Sequence, residues 1–323
     1  SGATFLDGSS MGSAAHVRPG TLVEEQASCA HAAGLKQTVL LPFVTVGSLV
    51  NLCDLLNAGG TSRRNHTEIG SSYVHFNFTP HGDKATASLV GDVPRGVWLD
   101  QPPIFLGGQG GLVGPSRVAY GVVIPAGIIW RGDALEPNSI AVPPPSAAPM
   151  ARPFVAGAYR SVRRIVQANL AFIGNLMALA AWYQHVRAAW MTADPWRRAC
   201  HAGALNRLSE GLEERIRRLD DLAERMERSV QLARTDPRCA IPPDLIEEQD
   251  LFRRQWPSIR EAVRKCPAFP PPEELAAAAA AARDATDWPS AVQAMPGSVR
   301  EAGRAWLEQF VERCRALWPL RTS

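Results

Sequence analysis

The sequence predicts a β-solenoid, formed by a parallel β-helix, in its first part and an α-helical domain in its last part. Aliphatic residues recur at every sixth position in two runs, a spacing that fits neither the face of an α-helix nor an alternating strand. A six-residue period does fit a β-helix with three flat sides, because one aliphatic side chain per side then points to the axis. The composition also changes, from Gly, Val and Thr before about Asp133 to Ala, Arg, Leu and Glu after Met150.

The two runs lie on either side of a segment that lacks the period. The first run consists of Val17, Val23, Cys29, Leu35 and Leu41. The second run consists of Leu106, Leu112, Val118, Ile124 and Trp130. Residues 57–103 lie between the runs and are predicted to contain a long inserted loop, since a solenoid tolerates loops that leave a single coil. A β-sandwich with accidental spacing is the alternative interpretation.

A proline-rich linker at residues 136–152 separates the two parts, because its prolines forbid an α-helix or a central strand. The predicted domains are therefore a β-helix domain at 1–135 and an α-helical domain at 153–323. In the second domain the apolar spacing predicts one long, largely buried helix at 156–191 and another at 195–234, paired as an antiparallel hairpin. Further helices are predicted near 244–265, 273–284 and 299–317.

Charge and composition exclude several classes of protein. The 34 Lys and Arg residues exceed the 31 Asp and Glu residues only slightly and form no basic run, which argues against a nucleic-acid partner. No uninterrupted apolar stretch is expected to approach the roughly 18–20 residues of a membrane span, so we expect a cytoplasmic protein with no membrane partner. The six cysteines have no spacing typical of a metal site, so no metal is expected.

The first part contains few residues suited to chemistry. Lys36 and Lys84 are its only lysines, which favours a ligand-binding role over a solvated one. His75 lies two residues before Asn77, so an alternating strand would point both side chains the same way. His75 is therefore a candidate acid or base, and a histidine hydrogen-bonded inside the loop is the alternative. His31 neighbours the first coils, but nothing in the sequence argues for a chemical role.

The period and the residues that interrupt it resemble the left-handed β-helix acetyltransferase domain of the bifunctional N-acetylglucosamine-1-phosphate uridyltransferase/glucosamine-1-phosphate acetyltransferase family. The likeness covers about Val17 to Asp133. The motifs that carry it are Val17-Arg18-Pro19-Gly20, Phe76-Asn77-Phe78 with Gly82-Asp83-Lys84, Leu106-Gly107-Gly108, and Ile124-Pro125-Ala126-Gly127. The resemblance implies a left-handed parallel β-helix and a homotrimer with active sites between adjacent β-helices.

The resemblance also implies a role for each matched residue. The residues implied to bind a sugar phosphate or nucleotide sugar are Arg18, Lys36, Asn51, Asn77 and Lys84. Gly108 and Ala126 would line the channel for the thioester of acetyl-CoA, the co-substrate. His75 would replace the family's general base.

The chain departs from the family at the catalytic coil. The family's His and Tyr on one coil, of which the His is the general base, correspond to Ser48 and Asn51, and Phe78 stands where the family has a Tyr. A positioned base contributes ~10²–10⁴ in rate, so this loss needs a substitute. No uridyltransferase half is seen ahead of the repeats, so a separate nucleotidyltransferase is an expected partner.

Two functions therefore remain open. One is an acetyl-CoA-dependent acyltransferase that acts on an amino-sugar phosphate or a nucleotide sugar. The other belongs to a different class: a catalytically silent trimer that binds a sugar nucleotide or serves as a scaffold for a partner enzyme.

Overall fold

The structure is a computed structural model that describes residues 2–144, 151, 153–191, 194–285 and 287–318. Its strands are, in chain order, β1 (Ala3–Phe5), β2 (Ser10–Met11), β3 (His16–Val17), β4 (Thr21–Val23), β5 (Ser28–Cys29), β6 (Gly34–Leu40), β7 (Thr45–Val46), β8 (Asn51–Asn57), β9 (Gly60–Ser62), β10 (Asn65–His66), β11 (Glu68–Ile69), β12 (Val74–Phe76), β13 (Ser88–Val90), β14 (Phe105–Leu106), β15 (Gly111–Val113), β16 (Arg117–Val118), β17 (Val123–Ile124) and β18 (Ile129–Arg131). Its helices are α1 (Val93–Gly96), α2 (Arg163–Trp182), α3 (Ala188–Met191), α4 (Pro195–Thr235), α5 (Pro243–Arg264), α6 (Glu273–Ala281), α7 (Trp288–Gln293) and α8 (Gly297–Ala316). A π-helical turn, Tyr183–Arg187, joins α2 to α3.

β9 and β10 pair with each other in antiparallel, and the other strands form three parallel stacks that the chain visits in turn. Stack A contains β1, β4, the second halves of β6 and β8, β13 and β16. Stack B contains β2, β5, β7, β11, β14 and β17. Stack C contains β3, the first halves of β6 and β8, β12, β15 and β18. Outside the extended coils, paired residues lie 17 or 18 positions apart, as Gly34–Asn51 and Gly111–Ile129 do, and this arrangement fits a β-helix.

Residues with a left-handed backbone turn the corners between the stacks. In the first coils they follow one another at six-residue intervals, and they are Gly8 (φ 70°), Ala14 (58°), Gly20 (75°), Gln26 (56°) and Ala32 (55°). A residue other than glycine adopts this conformation at a cost of about 1–2 kcal/mol. The corners as well as the aliphatic sides therefore carry the six-residue period.

Residues 57–103 differ from the single long loop that the sequence predicts. Strands β11, β12 and β13 continue the coil through this segment, and the extra residues leave it at 58–67, 77–87 and 91–104. Each extension changes the spacing between inward residues along the chain, while the pairing of one coil with the next is kept. This is why the period disappears from the sequence although the coil does not end.

The helical part agrees with the sequence pattern. α2, the π-helical turn and α3 form one continuous helix, which ends at Met191 as predicted but begins at Arg163 rather than at 156, and α4 begins at Pro195 as expected. The carboxylate of Asp194 accepts a hydrogen bond from the backbone N–H of Arg197, and Pro195 occupies a position where no N–H partner is needed. α2 also packs closely against α8, since a Cβ on Gly174 would lie 2.6 Å from the Cα of Val311.

The helix Arg163–Met191 is long and apolar enough to cross a membrane, with a mean hydropathy of 1.5 over its most apolar window. The expectation that no stretch approaches such a length was therefore wrong. However, 72% of that window is buried inside the fold. A helix that is buried on most sides in a protein core has the same composition, and this burial accounts for its apolarity.

The helices pack on stack A and share its core. α4 contacts β1 and β4, α2 contacts β13, and every residue of β4 and β13 is buried. One continuous hydrophobic core contains Leu22 and Leu35 of the coil together with Leu176, Trp182 and Trp306 of the helices. The compositional boundary in the sequence is therefore not a boundary in the packing.

The expected linker at 136–152 begins inside the last coil. Ile140 pairs with Val123 in parallel, and the backbone N–H of Ala141 donates to the carbonyl oxygen of Val123 at 2.9 Å. This pairing lies at the end of stack B. Because no further described strand pairs there, a neighbouring proline removes no hydrogen bond between strands. Residues 145–150 and 152 lie outside the described residues.

A fragment that lacks residues 146–323 is expected to lose cooperative unfolding, because it would expose the apolar surface of stack A that the helices cover. Circular dichroism during a urea titration, compared with the full chain, measures this. A soluble fragment with a sharp transition of its own would show that the two parts are independent domains, as the sequence alone suggests.

Candidate functional site

Stack C brings two of the predicted phosphate-binding residues together. Val17 pairs with Leu35, so Arg18 and Lys36 are neighbours on adjacent strands, about 4.8 Å apart between backbones. Lys36 in turn pairs with Cys53, and Nη2 of Arg18 lies 3.4 Å from the Sγ of Cys53. The two cations therefore lie side by side on the outward face of the stack.

A groove of 330 Å³ runs along this face. Its lining residues are His16, Arg18, Ala32, Gly34, Leu49, Val50 and Asn51. Asn51 is exposed and stands directly beside Gly34 on the next strand, where the missing side chain leaves the amide accessible. A cationic wall with an amide beside it suits an anion that carries hydroxyl groups, such as a sugar phosphate.

A histidine and a serine form a pair at the rim of this groove. Nδ1 of His31 lies 2.8 Å from the Oγ of Ser48, and His31 is exposed to solvent. The residues that follow them, Ala32 and Leu49, line the groove and have left-handed backbones. The pair therefore lies at the corner of the coil, next to the groove that Arg18 lines.

The pair belongs to a column of residues that we call the corner column. The residue that follows each column member donates its backbone N–H to the carbonyl oxygen of the column member one coil earlier, at 2.8–3.1 Å. The members are Ser13, His31, Ser48, Ser71, Gly108 and Ala126. The column is crowded near its end, since a Cβ on Gly108 would lie 2.7 Å from the carbonyl oxygen of Ser71. Glycine is therefore required at position 108, and both predicted channel residues lie in the same column as Ser48.

His75 does not face the groove. It belongs to the inward row of stack C, where it pairs with Leu112, and only 3% of its surface is exposed. Its Nδ1–H donates to the carbonyl oxygen of Cys53 at 2.5 Å, and Nε2 accepts from the Oγ of Ser88 at 2.8 Å. Burial lowers the pKa of His75 to about 4, which keeps the ring neutral.

The expectation that His75 and Asn77 point the same way was wrong, because the strand ends at Phe76. Nδ2 of Asn77 donates to Oδ2 of Asp54 at 3.1 Å, at the opposite edge of stack C from His31. Nη2 of Arg215 on α4 donates to Oδ1 of the same carboxylate at 2.6 Å.

Lys84 lies in the extension that α4 holds against the coil. Nη1 of Arg215 donates to its carbonyl oxygen at 3.3 Å, and Arg225 donates to the carbonyl oxygens of His81 and Gly82. Asn77 and Lys84 thus lie beside the helices at one edge of stack C, where Asp54 directly follows Cys53, the residue that Arg18 contacts. Within the residues that the structure describes, no group of three His, Cys, Asp or Glu side chains could hold a metal ion.

Comparisons with known proteins add little to this geometry. No protein-family model matches the chain, and no curated protein matches it. Among solved structures, that of the polysialic acid O-acetyltransferase OatWY matches at 10% identity, over 46% of this chain and 94% of that chain, with a TM-score of 0.19. A TM-score this low carries no argument, so the fold and the site rest on the geometry described above.

His31 is the site residue that the sequence reasoning missed. The six-residue period does not point to it, because His31 and Ser48 are 17 residues apart and three sides of six residues make 18; the structure shows that one coil has 17 residues in this region. Residues one coil apart lie side by side, so the serine at the family's histidine position has a histidine as its neighbour. The pattern of aliphatic residues alone does not reveal this, since both residues lie at a corner.

Proposed function

We propose that this chain is a coenzyme A-dependent acyltransferase of the hexapeptide-repeat type, built on a left-handed β-helix, that acts on an amino-sugar phosphate or a nucleotide sugar. The observation that carries the proposal is the His31–Ser48 pair at the rim of a groove that Arg18 lines, with Lys36 beside Arg18 on the next strand. The groove supplies binding for an anionic sugar, and the imidazole supplies a proton acceptor beside it. A cytoplasmic location and a separate nucleotidyltransferase as partner belong to the same proposal.

His31, rather than His75, is the proposed base. The imidazole of His31 reaches solvent, whereas both ring nitrogens of His75 are occupied by buried partners. The hydrogen bond to Ser48 orients the ring, which is the arrangement that a proton acceptor in a transfer step requires. An amine or hydroxyl of the acceptor would lose its proton to this ring as it attacks the acyl carbonyl carbon.

The corner column supports a path for the donor. Gly108 and Ala126 lie in it with Ser48. Gly108 has no side chain and Ala126 has a single methyl group, so neither projects far from the backbone at the corner. An extended pantetheine arm of acetyl-CoA would lie along these residues and bring its thioester to the His31–Ser48 pair. Asn51 would hydrogen-bond the sugar, while Asn77 and Lys84 would contact it from the far edge of stack C.

Replacing Arg18 or Lys36 with Ala is expected to weaken binding of glucosamine 1-phosphate by ~10–100-fold, because each loses a charge-assisted hydrogen bond worth about 1.5–3 kcal/mol. His31→Gln should leave this binding nearly intact and lower thiol release from acetyl-CoA by ~10²-fold or more. Calorimetry and a thiol assay measure the two effects.

Matched controls exist for both changes. Lys265 is an exposed lysine on the helical part, and His66 is a surface histidine bonded to the carbonyl of Arg63. Neither Lys265→Ala nor His66→Gln should change binding or thiol release. Unchanged binding in both Arg18→Ala and Lys36→Ala would refute the anion site.

A silent sugar-nucleotide binder or scaffold is the second candidate. It is favoured by the burial of His75 and by Ser48 at the family's histidine position. Wild-type protein that binds the sugar phosphate and releases no thiol with any amine acceptor would establish this candidate and exclude the acyltransferase.

A homotrimer is expected because stacks B and C carry apolar side chains that the described helices leave uncovered. Phe105 on stack B is 38% exposed, and Phe76 and Ile129 on stack C are 39% and 52% exposed. Such surfaces favour burial between copies of the chain. Light scattering after size-exclusion chromatography should give about three times the 34.9 kDa of one chain. A monomer at micromolar concentration would remove the model of a site between subunits.

A further inference from the structure

We propose that Ser48 is a nucleophile that carries the acyl group as an ester before it passes to the acceptor. This inference rests on the proposed acyltransferase function and adds a covalent step to it. Ser48 and His31 are within hydrogen-bond reach at 2.8 Å, which is the signature of a nucleophile with an adjacent base. The pair lies at the groove rim, where both a donor and an acceptor have access.

Position distinguishes Ser48 from the other serine that bonds a histidine. The Oγ of Ser88 is 2.8 Å from Nε2 of His75, but both residues are fully buried, so no thioester can reach them. Ser48 is only partly buried, and its partner His31 is exposed. Among the described residues of the strand stacks, a hydrogen-bonded serine and histidine therefore occur twice: once buried, as Ser88 and His75, and once accessible to solvent, as Ser48 and His31.

Neighbouring atoms hold Ser48 in place for attack. Its backbone N–H donates to the Oγ of Ser71 at 3.1 Å, and its carbonyl oxygen accepts from the N–H of Ser72 at 2.8 Å. Leu49, which follows it, has a left-handed backbone and bonds to the carbonyl oxygen of His31. Because the backbone is fixed on both sides, rotation about the Cα–Cβ bond is the main freedom left to the hydroxyl.

The step balances without a further reactant. In the tautomer with its proton on Nε2, Nδ1 of His31 accepts the hydroxyl proton of Ser48 as Oγ attacks the thioester carbonyl. The carbon–sulfur bond breaks, and coenzyme A leaves as a thiol with that proton. The acceptor then attacks the ester carbonyl, and its proton passes through His31 to Oγ as Ser48 is regenerated.

The test is the mass of the intact protein after rapid mixing with acetyl-CoA and no acceptor. One acetyl group, about 42 Da, is expected on each chain, and peptide mapping should place it on Ser48. The label should disappear when glucosamine 1-phosphate is added. It should be absent in Ser48→Ala, and it should form at least ~10²-fold more slowly in His31→Gln. Ser48→Cys should accept the acyl group as a thioester.

Ser13→Ala is the matched control, since Ser13 occupies the corner column one coil before His31. It should acylate like the wild type. Thermal unfolding of each variant checks that the fold is kept.

The outcomes separate this inference from the proposed function. If thiol is released with an acceptor, no acyl-enzyme accumulates, and Ser48→Ala keeps the wild-type rate, transfer is direct and the inference is overturned while the function stands. Acylation at another residue also overturns it. If no thiol is released under any condition, the proposed function itself fails.

Discussion

Replacing Arg187 with Met is expected to lower the free energy of unfolding by about 3–5 kcal/mol, the cost of leaving buried carboxylates without their cation. Arg187 is fully buried at the π-helical turn, where its guanidinium bonds both carboxylate oxygens of Glu25. It also lies 3.7 Å over the ring of Trp288. Because Glu25 belongs to a corner of the coil, this pair ties the helices to stack A.

Urea titration monitored by circular dichroism measures the change. Arg197→Met is the control, because Arg197 lines the same small cavity but is 39% exposed and pairs with Asp194 at 3.6 Å. Its loss should cost at most about 1 kcal/mol. Adding Glu25→Gln to Arg187→Met should recover part of the loss, since it removes one unpaired charge. A loss in Arg187→Met as small as in Arg197→Met would show that the buried pair adds no net stability.

Replacing Glu24 with Gln is expected to raise the free energy of unfolding by about 3 kcal/mol at pH 8 and to leave it nearly unchanged at pH 4. Burial raises the pKa of Glu24 to about 7, although Arg187 opposes the shift and a hydrogen bond from Tyr183 at 2.7 Å also favours the charged form. The folded state therefore holds a proton that the unfolded chain releases above pH 4.5. The contribution of this proton to the free energy of unfolding is therefore fully present below pH 4.5 and is lost as the pH rises through about 7.

His75 gives the opposite slope. Its pKa of about 4 in the fold lies below the ordinary value of 6.5, so the unfolded chain binds its proton first and stability falls as the pH drops from 6.5 to 4. In the wild type the two slopes should nearly cancel between about pH 4.5 and 6.5.

Glu24→Gln should therefore uncover a rise in stability with pH across that window. Unfolding free energies at pH 4, 5, 6, 7 and 8 check both effects. Glu213→Gln is the control, because Glu213 is 57% exposed and pairs with Arg264 at the surface. A pH profile for Glu24→Gln that parallels the wild type would mean that Glu24 is ionised in the fold throughout.

The predicted binding residues show how far a repeat can be interpreted from sequence. Arg18 and Lys36 are 18 positions apart, one coil, so their proximity follows from the period once the three-sided coil is assumed. The same arithmetic does not join His31 to Ser48, because they are 17 positions apart and an 18-residue coil would place Leu49 beside His31; the structure shows that this coil is one residue shorter. Their roles in binding and catalysis stay predictions, because adjacency alone does not identify a ligand.

The orientation of His75 could not be obtained in this way. Side chains alternate along a strand, so a shift of one residue moves a side chain from the outward to the inward face. The extensions at 58–67 and 77–87 interrupt the count on either side of β12, and the pairing of Val74 with Asn51 on one side and with Gly111 on the other sets its phase. That pairing turns His75 inward to Cys53 and Ser88.

The sequence by itself determined the length of the coil side, the change from strands to helices, and the apolar faces of the helices, because each is a local periodicity that burial imposes on the chain. Only the tertiary structure decided which surfaces meet. Apolar faces are not specific in what they pack against, so the pattern could not show that α2 and α4 cover stack A while stack C stays open. The buried ion pairs Arg187–Glu25 and Arg215–Asp54 join residues about 160 positions apart, and they form only where that packing removes water from both partners.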